Sequence, residues 1–211
     1  LKHFFTFLQM VFVVIAVFFV LMFLFVNIQG ITTPEEINAS NLVSFQLVTQ
    51  IILAPFIAGL MIQGIRANVM ERLSVQQMFD VFPKSLPIII ISVFVSLLSG
   101  LGLNLFIIPG LYIYIATGFA VQLAVDKGLT PFQALMLSIK MVNRYLPQFI
   151  LIYFIFAVLV VIAIISYGIG LVFVIPFYHM VKGALYRDLF GYGKIDENQT
   201  VKSQSEGTFD A

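Results

Sequence analysis

The chain contains no cysteine, and that absence removes disulfides, thiolate metal sites, cysteine nucleophiles and palmitoylated cysteines at once. Histidine is nearly absent as well. His3 and His179 are the two in the chain, too few and too far apart in sequence to suggest a metal site. Charge is scarce: 10% of residues are Asp, Glu, Lys or Arg, against about 25% in an average soluble domain. The 11 bases and 10 acids leave a net charge of +1, which offers no electrostatic basis for a nucleic-acid partner. Catalytic signatures are missing too: there is no Walker loop, no HExxH, no GxSxG and no pair of acids within an apolar run. The expectation is a non-enzymatic protein without cofactor or metal.

What the chain has instead is apolar length, with 61% hydrophobic residues. A helix of about 20 apolar residues crosses the ~30 Å hydrocarbon core of a bilayer, and Phe4–Ile28 and Val43–Ile65 each suffice for one crossing. The first run exceeds the apolar region of about 7 to 15 residues found in removable signal peptides, so it reads as a retained helix. Between Lys84 and Asp126 there is no acid or base, and a straight helix of that length would reach about 60 Å, twice the core. It must fold back, and Ser99–Asn104 (SGLGLN) supplies a glycine-rich turn. The uncharged run from Tyr145 to Val181 reverses in the same way at Tyr167–Gly170 (YGIG). These arguments predict an all-α integral membrane protein with six spans at 4–28, 43–65, 86–101, 105–125, 147–166 and 170–187. All 11 Lys and Arg then fall on one side, with Glu35 and Glu36 on the other. Basic residues accumulate in cytoplasmic loops, so both termini are expected inside.

Two loops carry amphipathic helices of their own. In 74–83, Ser74 can cap and Gln77 can reach back, while Val75, Met78, Phe79 and Phe82 follow helical spacing. In 131–145, Thr130 caps, Pro131 occupies the first helical position and Gln133 completes a capping box; Phe132, Leu135, Met136, Ile139 and Val142 line one side. Both should lie along the inner leaflet. Phe79, Phe82, Phe132 and Met136 are candidates for docking a protein partner or membrane lipid, and the simpler reading is a pair of elbows that orient the next span. Each elbow is followed by Leu-Pro (Leu86-Pro87, Leu146-Pro147), an apolar helix, a Gly-x-Gly turn and matching text, FIIP at 106–109 and FVIP at 173–176. A fainter copy contains Pro55. This spacing predicts three parallel-repeat hairpins over residues 1–191, followed by a polar, disordered tail at 192–211. Pro55, Pro109 and Pro176 become candidate kinks in the returning helices.

One polar stripe stands out: His179, Lys182 and Tyr186 fall at i, i+3 and i+7 of the last span. Ionisable groups at membrane depth face the bundle interior or a watery cavity; alternatively Lys182 snorkels to the interface. Gln50 and Gln122 can hydrogen-bond between helices, and Ser92, Ser96, Ser99 and Gly100 form a small-residue seam. Asn38-Ala-Ser40 reads as a glycosylation sequon.

The succession LPIIIIS, FIIPGLYIYIATGFAVQLAVDKGLTPFQALMLSIKMV and VIPFYHMVKGALYRDLFG resembles the YciC-like group of bacterial inner-membrane proteins. More distantly it is similar to the membrane domain attached to some bacterial glycerophosphodiester phosphodiesterases. The likeness covers Leu86 to Gly191, with Pro109-Gly110, Val125-Asp126, Ala134, Ser138 and Tyr186-Arg187-Asp188 as its marks. It implies a six-span fold in a bacterial inner membrane and an accessory, non-enzymatic role, with no catalytic residues to carry over. The expected function is therefore an interaction module that binds a partner protein or lipid; the rival is a small carrier or channel for a lipid-like or anionic substrate.

Overall fold

The computed structural model describes residues 2–31, 33, 36, 38–69 and 73–192. All regular structure among them is helical: α1 (Lys2–Ile28), α2 (Ala39–Asn68), a 3-10 helix (Gln76–Lys84), α3 (Ser85–Leu105), α4 (Ile107–Ala116), α5 (Ala120–Lys127), α6 (Pro131–Arg144), α7 (Leu146–Ile165) and α8 (Leu171–Phe190). Five stretches are long and apolar enough to cross a membrane: Phe4–Ile28, Ala39–Asn68, Gln76–Asn104, Ile107–Lys127 and Leu146–Ile165. The last helix, α8, has 20 residues but carries His179, Lys182 and Arg187, which dilute its apolar character. Residues 193–211, which make up most of the tail, lie outside the described residues, as do Glu35 and Arg72.

Local chemistry accounts for the boundaries. Asn38 starts α2, its side-chain oxygen accepting the Asn41 amide at 2.9 Å, so the sequon residue acts as a helix cap. At Thr130 the full capping box forms, with Pro131 in the first turn of α6. The loop over 74–83 differs from the expected α-helix. Gln77 does reach back to the Ser74 amide (3.1 Å), but the Ser74 hydroxyl takes the Gln76 amide (3.2 Å), and a 3-10 helix runs directly into α3. With three residues per turn, Met78 and Val81 share the buried face. Phe79 and Phe82 turn aside to pack edge-to-face on Phe56 of α2, at ring separations of 5.9 and 5.0 Å.

The turn expected at Ser99–Asn104 is also displaced. Helix α3 continues to Leu105 and reverses through Phe106 alone, in extended conformation. Gly102 serves another purpose: a side chain there would run into the backbone of Gly110 on α4, so the two arms of this hairpin touch at main-chain distance. At the next hairpin the chain does reverse over Ser166–Gly170, with Tyr167 and Gly168 at φ 57° and 82°. The prolines part company as well. Pro109 is the third residue of α4, in the first turn, where a missing N–H removes no intrahelical bond; it starts the helix and does not kink it. Pro55 and Pro176 lie buried inside α2 and α8, where each removes the hydrogen bond to the carbonyl four residues back.

Helix α2 is the hub, and its most extensive neighbour is α8. The two cross backbone to backbone: a Cβ on Gly183 would overlap the Gly64 carbonyl, and one on Gly64 would overlap the His179 carbonyl. Below the crossing, the Asn68 amide donates to the Met180 carbonyl (2.8 Å) and Arg187 donates to the Asn68 carbonyl (2.8 Å). The main core gathers Ala58, Ile65, Ile88, Leu123 and Val142, all fully buried, from α2, α3, α5 and α6. A second cluster joins Phe7 and Met10 of α1 to Leu60 and Met78.

Candidate functional site

Helix α8 turns its polar residues inward, the first of the two readings their spacing left open, and the α2 crossing decides where they end. Pro176, His179, Lys182, Gly183 and Tyr186 form the buried face of α8. Because Gly64 and Gly183 let the backbones touch, the intervening side chains are carried into the middle of the bundle. Lys182 does not snorkel to an interface; it is 6% exposed and His179 is 7% exposed. Both line a cavity of about 710 Å³. The Lys182 ammonium sits 5.6 Å from the ring centres of both Phe119 and Tyr178, a cation–π arrangement. Among the described residues no carboxylate lies within ion-pairing distance of it.

The remaining wall is mostly apolar, with Phe18, Phe45, Leu53, Ile57 and Met61 among its residues, but it carries a polar strip. Thr49 and Gln50 come from α2, Ser92 and Ser96 from α3, and Thr117 from the α4–α5 junction. The Gln50 amide donates to the Ser92 carbonyl at 2.6 Å and to the Ser96 hydroxyl, so the serine seam of α3 works as a hydrogen-bonding edge. Among the described residues, two wall groups are left without a partner: the Thr49 hydroxyl and Nδ1 of His179. A buried polar group without a partner is costly, by about 1–3 kcal/mol. A cation, a free hydroxyl and a free ring nitrogen around one space are suited to an anionic ligand.

Thr117 marks a break that sequence reading did not find. Helices α4 and α5 are separated by Thr117–Phe119, and the loose backbone is repaired from outside. The Ser138 hydroxyl of α6 donates to the Ala116 carbonyl (2.8 Å) and accepts the Phe119 amide (3.1 Å). Gly118 lies within this break, where a Cβ would meet the Tyr153 hydroxyl. Tyr114, Tyr153 and Tyr178 gather here, with ring centres 5.9 Å (Tyr114–Tyr153) and 6.4 Å (Tyr153–Tyr178) apart and hydroxyls close enough to interact. The signal was available: each is the eighth residue of its helix, whereas transmembrane tyrosines concentrate at the two interfaces.

Other candidates fall elsewhere. Tyr186 is fully buried one turn past Lys182 and donates to Asp126 of α5 at 2.8 Å, so it belongs to the end of the bundle and not to the cavity. Asp126 also pairs with Lys127 at 3.4 Å. Arg66 pairs with Asp80 at 3.2 Å and Lys84 donates to the Val125 carbonyl, gathering these basic residues at the same end. Phe132 and Met136 are not on the packed side of α6. That side is Ala134, Leu135, Ser138 and Val142, and Phe132 is 72% exposed.

Gln122 is fully buried outside the cavity, and Gln63 of α2 shares this condition; neither amide has a partner for its oxygen or its nitrogen among the described residues. Replacing an unsatisfied buried polar group by an apolar one of similar shape removes a desolvation penalty. Gln122→Met and Gln63→Met are each expected to stabilise the protein by about 1–3 kcal/mol, a rise in Tm of roughly 2–4 °C per kcal/mol. Thermal unfolding in one fixed detergent reads this directly, and a lower Tm would contradict it.

No family model, curated protein or solved structure matches this chain.

Proposed function

We propose that the chain is a non-enzymatic, multi-pass membrane protein that binds an anionic molecule in the interior of its helix bundle. The observation that carries this reading is Lys182: a buried ammonium without a carboxylate partner among the described residues, in the wall of a cavity of about 710 Å³. A charged side chain at the centre of a span costs about 2.5–3.5 kcal/mol on insertion scales, and a bound oxyanion would offset that cost. In this reading α8 is a sixth span, since 20 residues reach about 30 Å. The three hairpins α1–α2, α3–α4/α5 and α7–α8 then run parallel. The end carrying Arg66, Lys84, Lys127 and Arg187 is cytoplasmic under the positive-inside rule, which puts both termini inside. The likeness of Leu86–Gly191 to the YciC-like group supports a bacterial inner membrane as the setting.

The test is thermal unfolding of the detergent-solubilised chain with and without inorganic phosphate and hexyl phosphate. A ligand at 100 times its Kd stabilises the native state by about 2.7 kcal/mol, so an upward shift of several degrees is expected. Lys182→Met should raise the ligand-free Tm, because a desolvated charge is removed, and abolish the shift. Equal shifts in both proteins would sink the proposal.

A second reading, docking through the short helices, is favoured by the exposed Phe132 and Met136 on the outer face of α6. It expects Phe132→Asp to weaken association with a partner protein or the bilayer surface while Tm stays unchanged, measured by co-purification and vesicle flotation.

A further inference from the structure

Beside the Lys182 cavity lies a second one, of about 530 Å³, between α4, α7 and α8. Tyr114, Tyr153, Tyr178 and His179 line both, so the tyrosine cluster is the partition between a chamber with a polar strip in an apolar wall and one that is apolar almost throughout. On one side are Lys182, Thr49, Gln50 and the α3 serines. On the other are Leu111, Ile150, Phe154, Ala157, Val160 and Val174. Leu111, Ile150 and Phe154 are also exposed on the outside of the bundle, a surface that would meet acyl chains in the membrane reading given above.

We propose that the occupant of the Lys182 cavity is an amphiphile whose oxyanion sits at Lys182 while its single hydrocarbon chain passes the tyrosine partition into the second cavity and leaves between α4 and α7. The inference rests on the anion-binding reading and names its ligand class. A small soluble anion leaves the apolar chamber without purpose, and a neutral lipid leaves Lys182 without a counter-charge; one molecule with both parts satisfies both chambers. Tyrosine suits the boundary between them, since its ring packs against methylenes and its hydroxyl can donate to an oxyanion. Gly118 fits this role too, because its missing side chain is the space the Tyr153 hydroxyl occupies. The oxyanion can be the phosphate of a single-chain lipid or the carboxylate of a fatty acid, and the hydrogen-bonding chemistry is shared.

The experiment uses the full chain in phosphatidylcholine nanodiscs with two photoactivatable probes. One is an alkyl phosphate and the other a fatty acid of equal chain length, each with a diazirine at mid-chain, and adducts are mapped by mass spectrometry. Labelling is expected on Ile115, Phe156 or Val174, which line the second cavity away from the outer surface, above the lipid-facing positions Phe23 and Ile162. It should fall about thirtyfold or more in Lys182→Met, as removal of one partner of a buried charge pair requires, and be retained in Lys182→Arg. Ala157→Trp, or Val160→Trp should the first fold poorly, should reduce cavity labelling to the lipid-facing background while leaving the phosphate-dependent Tm shift in place. The probe that labels more strongly identifies the headgroup. Labelling spread evenly over the lipid-facing surface, or unchanged by the tryptophan variants, overturns the inference while a Lys182-dependent phosphate shift leaves the anion reading standing. Loss of both signals overturns both.

Discussion

Gly183→Leu is expected to prevent the bundle from closing, whereas Gly100→Leu leaves it intact. Both glycines lie within apolar helices, but a Cβ at Gly183 would overlap the Gly64 carbonyl carbon and oxygen and the Ile65 nitrogen, while one at Gly100 meets nothing within 4 Å. The obstacle at Gly183 is backbone, which cannot rotate away as a side chain can. Overpacking a well-fitted interior costs about 1–3 kcal/mol when neighbours can adjust, and more when they cannot. Separation of α8 from α2 would also break the Asn68–Met180 and Arg187–Asn68 hydrogen bonds, each worth roughly 0.5–1.5 kcal/mol net, and somewhat more where a charged group takes part. The combined effect places Gly183→Leu beyond about 4 kcal/mol, in the range reserved for a few severe mechanisms. The monodisperse fraction on size exclusion and the Tm should both collapse for Gly183→Leu and stay near wild type for Gly100→Leu. Similar behaviour of the two variants would show that the crossing contributes little.

Ser138→Ala should produce the next largest loss. The Ser138 hydroxyl is the external partner for two groups at the α4–α5 break, the Ala116 carbonyl and the Phe119 amide, in surroundings where Ser138, Ala116 and Phe119 are all essentially inaccessible. Without the hydroxyl both groups remain buried and unmade, at about 1–3 kcal/mol each. The expected destabilisation is therefore roughly 2–6 kcal/mol, far above the loss of one oxygen from a serine on a helix surface. Hydrogen exchange supplies the site-specific readout: the Phe119 amide should exchange faster in Ser138→Ala than in wild type, ahead of the Leu123 amide, which bonds to the Phe119 carbonyl within the chain. An unaltered Phe119 rate would show that this bond is not what protects it. The variant also connects fold to site, because Thr117 and Gly118 of the same break face the cavity.

Helix spacing alone led to the central feature of the site. Three residues at i, i+3 and i+7 on an apolar helix must share a face, and a face bearing His179 and Lys182 cannot be presented to hydrocarbon. What spacing could not convey was how far that face is carried inward, since this depends on Gly64, more than 100 residues away. The same limit explains the misplaced turn. Gly102 has the composition of a reversal, yet its glycine is used for the approach of Gly110, and a local reading cannot tell a bend from a contact. Pro109 likewise looked equivalent to Pro176 because the surrounding letters match, although the two stand at the third and sixth positions of their helices. The amphipathic pattern of 74–83 was read with a period of 3.6; the 3-10 geometry shifted the buried set to Met78 and Val81. Tyr114, Tyr153 and Tyr178 each carry a weak signal in standing eight residues into a helix, but that they meet depends on the packing of α4, α7 and α8, which no local pattern conveys.

The α2–α8 crossing imposes an order on synthesis. Helix α2 leaves the ribosome with its glycine face exposed, and its backbone partner begins at Leu171, about a hundred residues later. At a translation rate of 5–20 residues per second the interval is on the order of 5–20 s. During that time α1, the 3-10 helix and α3 can dock on the other sides of α2, but the groove at Gly64 stays vacant and open to any small-faced helix from another chain. The nascent protein is thus most vulnerable to mispairing just before its last helix arrives, and a factor that shields α2 in that window would raise the yield of correctly assembled molecules.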